Sequence, residues 1–252
     1  MIYKTYLAKV LFFLAISHVG YAEPPRQMPD EFYEEFTLHG RIPVVDAYCD
    51  DTYSFHEPLV YSKWALNDSI YLAGERITRY YGLTDAYLYE ILDRHASFIK
   101  GKAVGIIGSV IPWYEGMILK YGGHPVTLDY NRIISRDPRL KTMTVVEYEQ
   151  NPIQFDVLLS ISSTEHDGLG RFGDPINPRG DIESMQKFKK MLKKNGILIL
   201  SVPTGDDIVY WNAHRVYGNI RFPMLIEGWN LVDSCGPFGG IYEPIFVLKP
   251  KQ

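Results

Sequence analysis

Cysteine is nearly missing from these 252 residues: Cys49 and Cys235 are the only two. That excludes a disulfide-stapled framework. A single bridge between them and two buried free thiols both remain open, since spacing alone does not show proximity. Paired cysteines and H-x-x-x-H spacing are also lacking, so no metal site is expected. No G-x-S-x-G elbow occurs, which argues against a serine hydrolase. Basic residues are not in excess either. Lys and Arg number 26 against 30 Asp and Glu, a formal net charge of −4, and no nucleic-acid partner is expected.

A long hydrophobic run is missing too. Val10–Ile16 (VLFFLAI) falls short of the roughly 20 residues that a membrane-spanning helix needs. Lys4 and Lys9 precede it and the small residues Gly20 and Ala22 follow, the arrangement of a signal peptide over residues 1–22. Cleavage after Ala22 removes two lysines and no acids, taking the charge from −4 to −6. The expected location is secreted or the lumen of the secretory pathway, with an uncleaved signal anchor as the alternative. Asn67-Asp68-Ser69 is a glycosylation acceptor pattern that fits such a compartment.

What is present is enough apolar material, 46%, to bury a full core. Residues 23–95 are dense in aromatics (Phe32, Tyr33, Phe36, Tyr48, Tyr61 and Trp64 among them) and are expected to pack on a main domain over residues 96–252. Within residues 23–95, Asp30–Glu35 reads as a short helix and Arg41–Tyr48 as a possible strand. Thr84 is placed as the cap of a helix reaching Ile99, with His95 as a packing residue on its apolar face.

The organising stretch is Lys102–Asn131. Val104, Ile106 and Ile107 form a buried strand with Gly105 and Gly108, and Pro112 suits the first position of a helix. Trp113, Met117, Ile118 and Tyr121 recur at helical spacing until Gly122-Gly123, and His124–Leu128 then delivers Asp129. A right-handed crossover leaves the Gly108 turn and Asp129 side by side at the carboxyl edge of a parallel sheet, where an acid can accept from ribose hydroxyls. Gly105–Val110 (GIIGSV) does not supply G-x-G-x-x-G, so an ordinary βαβ unit with a solvated Asp129 also fits.

Further strands are expected over Thr142–Tyr148, Phe155–Ile161, Ile197–Val202, Trp229–Cys235 and Tyr242–Leu248. A helix capped by Asp181 is expected to run to Gly196, with Lys189, Lys190, Lys193 and Lys194 in its last turns. A shorter helix is expected over Arg221–Gly228. The fold class is α/β: a three-layer sandwich whose seven-stranded sheet is mostly parallel and ends in a pair that can form a hairpin.

That order resembles the class I S-adenosylmethionine-dependent methyltransferase fold, a Rossmann-like sheet with an antiparallel last strand, over residues of about 96 to 250. The resemblance implies S-adenosylmethionine as cofactor. By position it gives Gly108 and Ser109 the turn beside the cofactor's amino-acid end, and Asp129 the ribose. Phe155–Ser162 matches the fourth strand, whose tip faces the methyl group, and Leu192–Val202 the next helix–glycine–strand unit. The family turn reads acid-x-G-x-G-x-G, whereas this chain has Ile106, Val110 and Pro112 at the acid and the two later glycines. Glu165–Pro175 (EHDGLGRFGDP) and Trp211–Gly218 (WNAHRVYG) resemble an uncharacterised family known only as a domain of unknown function, which implies no reaction.

The first block is crowded with ionisable groups just past a buried strand. His166, Glu165 and Asp167 are the catalytic candidates, with His166 as the base for an acceptor hydroxyl. Arg171, Asp174, His214 and Arg215 are the substrate-binding candidates. Pairing of Arg171 with Asp167 or Asp174, or of Arg215 with Asp206 or Asp207, is the structural alternative. The expected function is methyl transfer to a small or glycan-like acceptor. A non-catalytic binding protein on the same scaffold is the rival.

Overall fold

The computed structural model describes residues 24–49 and 57–251. The expected signal peptide at residues 1–22 lies outside them. The chain begins with helix α1 (Asp30–Phe36) and strands β1 (Val44–Asp46) and β2 (Leu59–Tyr61). Helices α2 (Lys63–Gly74), α3 (Leu83–Arg94) and the single turn α4 (Ala96–Ile99) follow. Next come β3 (Ala103–Ile107), α5 (Trp113–Lys120), β4 (His124–Asp129), β5 (Ile133–Ser135), β6 (Lys141–Thr144) and α6 (Val145–Gln150). Strand β7 (Phe155–Ile161) leads through a 3₁₀ turn at Thr164–His166 to α7 (Gly180–Met191) and β8 (Leu192–Ser201). The chain closes with β9 (Ile208–Trp211), β10 (His214–Val216), α8 (Arg221–Leu225), β11 (Trp229–Cys235) and β12 (Ile245–Pro250).

Seven strands form the central sheet in the order β11-β12-β8-β7-β3-β4-β6. β3, β4, β6, β7 and β8 pair in parallel, while β12 runs antiparallel to both β8 and β11. After β6 the chain crosses back to place β7 on the other side of β3. The strand order therefore reverses between β3 and β7, and such a reversal opens a crevice at the carboxyl ends of the two strands. Alternation along β8 feeds both faces: Ile197 and Ile199 pack with Leu88, Ile91, Leu92 and Met117, while Leu198 and Leu200 pack with Met185, Phe188 and Leu225. Helix α3 thus belongs to one covering layer of the sandwich, although its residues precede the main βα alternation.

The N-terminal aromatics pack at the far end of the chain. Phe36 and Ile42 join Leu169, Val209 and Trp211 in a separate cluster, β1 pairs in parallel with β9, and the Trp211 indole N–H donates to Pro25 O at 2.9 Å. Cys49 and Cys235 are both free.

Several boundaries differ from the sequence expectation, each for a local reason. The strand expected over Thr142–Tyr148 stops at Thr144, whose hydroxyl accepts the Glu147 N–H while Glu147 caps back, and this capping box starts α6. The helix expected to reach Gly196 ends at Met191, because Leu192 already pairs with Phe155 across a bulged register. Lys193 and Lys194 therefore lie on β8, where Lys193 pairs with Asp156 at 2.8 Å. Asp181 is not a cap but a buried ion-pair partner of Arg221 at 2.7 Å. Thr84 is also no cap, since Gly82 holds that position and the Thr84 hydroxyl donates to Glu243 O at 3.0 Å. The helix breaks at His95, whose Nε2 lies 2.9 Å from Asp233.

Candidate functional site

A cavity of about 840 Å³ opens at the reversal point, in the size range of roughly 300–1,000 Å³ usual for small-ligand sites. Its floor is the turn after β3. Gly108 has φ +69°, and a Cβ there would sit 2.5 Å from Ser163 Oγ, so glycine lets this turn pass the end of β7 without strain. The Gly108 N–H donates to Leu128 O at 2.9 Å, which ties the turn to the end of β4. The Ser109 N–H then donates to Asp129 Oδ2 at 3.2 Å, and the Asn131 N–H to Oδ1 at 2.7 Å. Gly108, Ser109 and Asp129 are thus brought together and line one cavity. Burial pushes the Asp129 carboxyl up, partly offset by those two N–H donors. A carboxylate offers about four acceptor positions, so about two are left for a ligand's hydroxyls.

The opposite wall is the segment after β7. Ser162, at φ +49°, turns the chain into the 3₁₀ turn and places Glu165 almost out of solvent at 1% exposure. The Ser162 hydroxyl lies 2.7 Å from Glu165 Oε1 and 3.0 Å from Glu243 Oε1, and the Ser201 hydroxyl donates to Glu243 Oε2 at 3.0 Å. One hydroxyl has one proton, so it can donate to only one of the two carboxyls and must accept from the other. Burial, together with mutual repulsion, holds Glu165 well above the usual carboxylate range, and burial raises Glu243.

His166, the expected base, is held as a weakly basic ring. Its Nδ1 is 2.6 Å from Ala213 O, so Nδ1 carries the proton and donates. Burial, with Arg171 nearby, pushes the ring down to about 3, leaving a neutral imidazole of low basicity. Its Nε2 lies 3.7 Å from Glu165 Oε1. Asp167 is raised to about 7 by burial. His214 stacks on Tyr210 and is lowered by burial and by Arg171. His166, Asp167, Arg171, Asp174 and His214 all line the cavity.

Arg215 does not, and its expected role as a substrate clamp is corrected. It is 0% exposed, and its Nη1 donates to the carbonyls of Asp167 at 2.6 Å and Glu165 at 3.2 Å. Asp206 and Asp207 are not its partners. Asp207 instead accepts the backbone N–H groups of Gly218, Ile220 and Arg221. Asp174 is committed to the loop as well, since its carboxylate accepts from the N–H groups of Gly168, Gly170 and Phe172. Among the described residues no group of three or more His, Cys, Asp or Glu is placed to hold a metal ion. No helix among them is long and apolar enough to cross a membrane.

The family model described as "Caenorhabditis protein of unknown function, DUF268" matches residues 101–239, more than half of the chain. The chain belongs to the DUF268 family. No curated protein matches it. Among solved structures, the DUF268 chain is similar to 1,6-didemethyltoxoflavin-N1-methyltransferase from Burkholderia thailandensis, solved with 1,6-didemethyltoxoflavin and S-adenosylhomocysteine bound. The two are 16% identical with a TM-score of 0.54, over 82% of this chain and 94% of that one. The CcbJ methyltransferase from Streptomyces caelestis is 11% identical with a TM-score of 0.44, over 68% and 96%. The first likeness shows the fold: the DUF268 sheet is that of a class I methyltransferase.

Sequence reasoning missed three residues that line this DUF268 site and one buried behind it. Tyr81 and Glu243 reach the cavity from outside the two motif blocks, and Ser162, read as a strand end and loop start, was given no role. Glu115, on α5, is the fourth: it is 0% exposed, bonded by the Thr127 hydroxyl at 2.7 Å, and its Oε2 has no partner. The available signal was a lone acid in an apolar helix, a residue almost never buried without a reason.

Proposed function

We propose that this DUF268 protein binds S-adenosylmethionine at the β3–β7 crevice and transfers its methyl group to a small acceptor. One observation carries the reading: the Ser109 N–H and the Asp129 carboxylate meet across a turn that favours glycine. The residues fit the cofactor at its nucleoside end. Asp129 would accept from the ribose hydroxyls, and Gly108 and Ser109 would let backbone approach the ligand. When bound, the cofactor supplies an electrophilic methyl on a sulfonium. The chain's own part is to exclude water, orient the acceptor and take up a proton. That last role falls to the Glu165–Glu243 pair, with His166 as a neutral hydrogen-bonding wall. Arg171 and His214 are the remaining acceptor contacts on this reading. A glycan-like acceptor fits the compartment that the leader implies, where the cofactor would have to be imported.

A second reading is favoured by Ile106, which puts an apolar side chain where the methyltransferase turn has an acid: a binding protein that holds the ligand without transfer. Calorimetry with S-adenosylhomocysteine tests the first. Binding in the micromolar range, weakened at least ten-fold in Asp129→Ala, is the expected result. Absence of binding leaves only the scaffold.

A further inference from the structure

We propose that Glu165 and Glu243 form the acceptor's binding site, and that the acceptor is a primary or secondary amine held as its ammonium. The two carboxyls are 78 residues apart in sequence and meet on the single hydroxyl of Ser162. Bridged by that hydroxyl, one carboxyl can hold the proton while the other, which also accepts from Ser201, carries the negative charge of the proposed site. Among the described residues, no lysine or arginine forms an ion pair with either carboxyl. The adjacent His166 does not supply the missing charge, because burial and Arg171 keep it neutral.

The pair is also incomplete as a hydrogen-bonded unit. Glu165 Oε2 is buried without a partner, although its residue lines the cavity. A buried polar atom in that state calls for a donor from outside the chain, a water or a ligand. An ammonium offers donors and positive charge together, and the aromatic residues Tyr81, Trp113 and Tyr114 line the same cavity. A hydroxyl acceptor answers only part of this. It also needs a strong base, which His166 is not, whereas an ammonium, a far stronger acid than a hydroxyl, frees its lone pair by giving one proton to a carboxylate.

The transfer balances with a sulfonium methyl donor as co-reactant. The ionised carboxyl of the pair takes one proton from the ammonium, freeing the nitrogen lone pair. The C–N bond forms as the methyl C–S bond breaks, and its electron pair leaves on sulfur as a neutral thioether. The product is the methylated ammonium, and the fully protonated pair later returns its extra proton to solvent.

The transfer step rests on the methyltransferase reading, but cation binding does not, so the two are tested apart. Calorimetry with 2-phenylethylammonium and its uncharged counterpart 2-phenylethanol measures the acceptor site, and S-adenosylhomocysteine measures the cofactor site. The expected result is at least ten-fold tighter binding of the ammonium than of the alcohol. That preference should fall at least ten-fold in Glu165→Gln and in Glu243→Gln separately, with S-adenosylhomocysteine affinity changed less than three-fold. Ammonium preference without S-adenosylhomocysteine binding upholds the amine site and removes the methyltransferase reading. Equal affinity for the two probes, binding of neither, or a preference that survives both glutamine variants overturns the amine site.

Discussion

Glu115 sits under the Ser109 turn, out of reach of solvent, and burial raises its carboxyl from the usual 4.5 to about 7. Between these two values the unfolded chain has lost the proton while the folded protein keeps it. The stability due to this proton is therefore fully present below pH 4.5 and is lost as pH rises through 7. At about 1.4 kcal/mol per pH unit, the loss is on the order of 3 kcal/mol. Glu115→Gln keeps an oxygen for the Thr127 hydroxyl and cannot ionise. The variant should gain stability relative to the wild type by about that amount between pH 5 and pH 8. Urea denaturation at the two pH values measures it, and an unchanged difference would show that Glu115 is not held protonated.

Among the elements, the decisive one is the loop from Ser162 to Asp174. It has almost no regular structure, yet it is held at many points. Asp174 gathers three of its N–H groups, and Arg215 reaches from β10 to grip two of its carbonyls. Arg215 Nε also lies 3.8 Å from Asp181, and Arg221 forms a closer pair with the same carboxylate. Burial would raise Asp181, but Arg215 and Arg221 outweigh it and pull the group down to about 2. Arg215→Ala should cost about 3–5 kcal/mol in chemical denaturation, the usual result of stripping one partner from a buried ionic network. Arg215→Lys should recover little of it, since an ammonium cannot reproduce the planar fork that spans two carbonyls. Full recovery by lysine would mean that Arg215 contributes charge alone.

At the scale of the whole molecule, the N-terminal residues and the two motif blocks form one packed end: Arg215 lies over the Phe36 ring, and Phe36 packs edge-on to Trp211. We propose that this unit works in the secretory lumen once the leader at residues 1–22 is removed. Terminal sequencing of the protein recovered from that compartment should begin at Glu23. A chain that keeps Lys4 and Lys9 would instead support the signal anchor.

The succession of the seven central strands was legible in the sequence, because burial imposes a period of two or 3.6 on neighbouring residues and glycine marks the turns, whereas α2 and the short strands β2, β5, β9 and β10 were not. Gly108, Ser109 and Asp129 were legible for the same reason, lying within one βαβ unit whose handedness is fixed. Only the tertiary structure decided which charges face a ligand. Glu243 meets Ser162 across 81 residues, Arg215 turns inward to carbonyls, and burial keeps the His166 ring neutral. Those outcomes depend on long-range packing and on the local dielectric, and neither leaves a periodic trace along the chain.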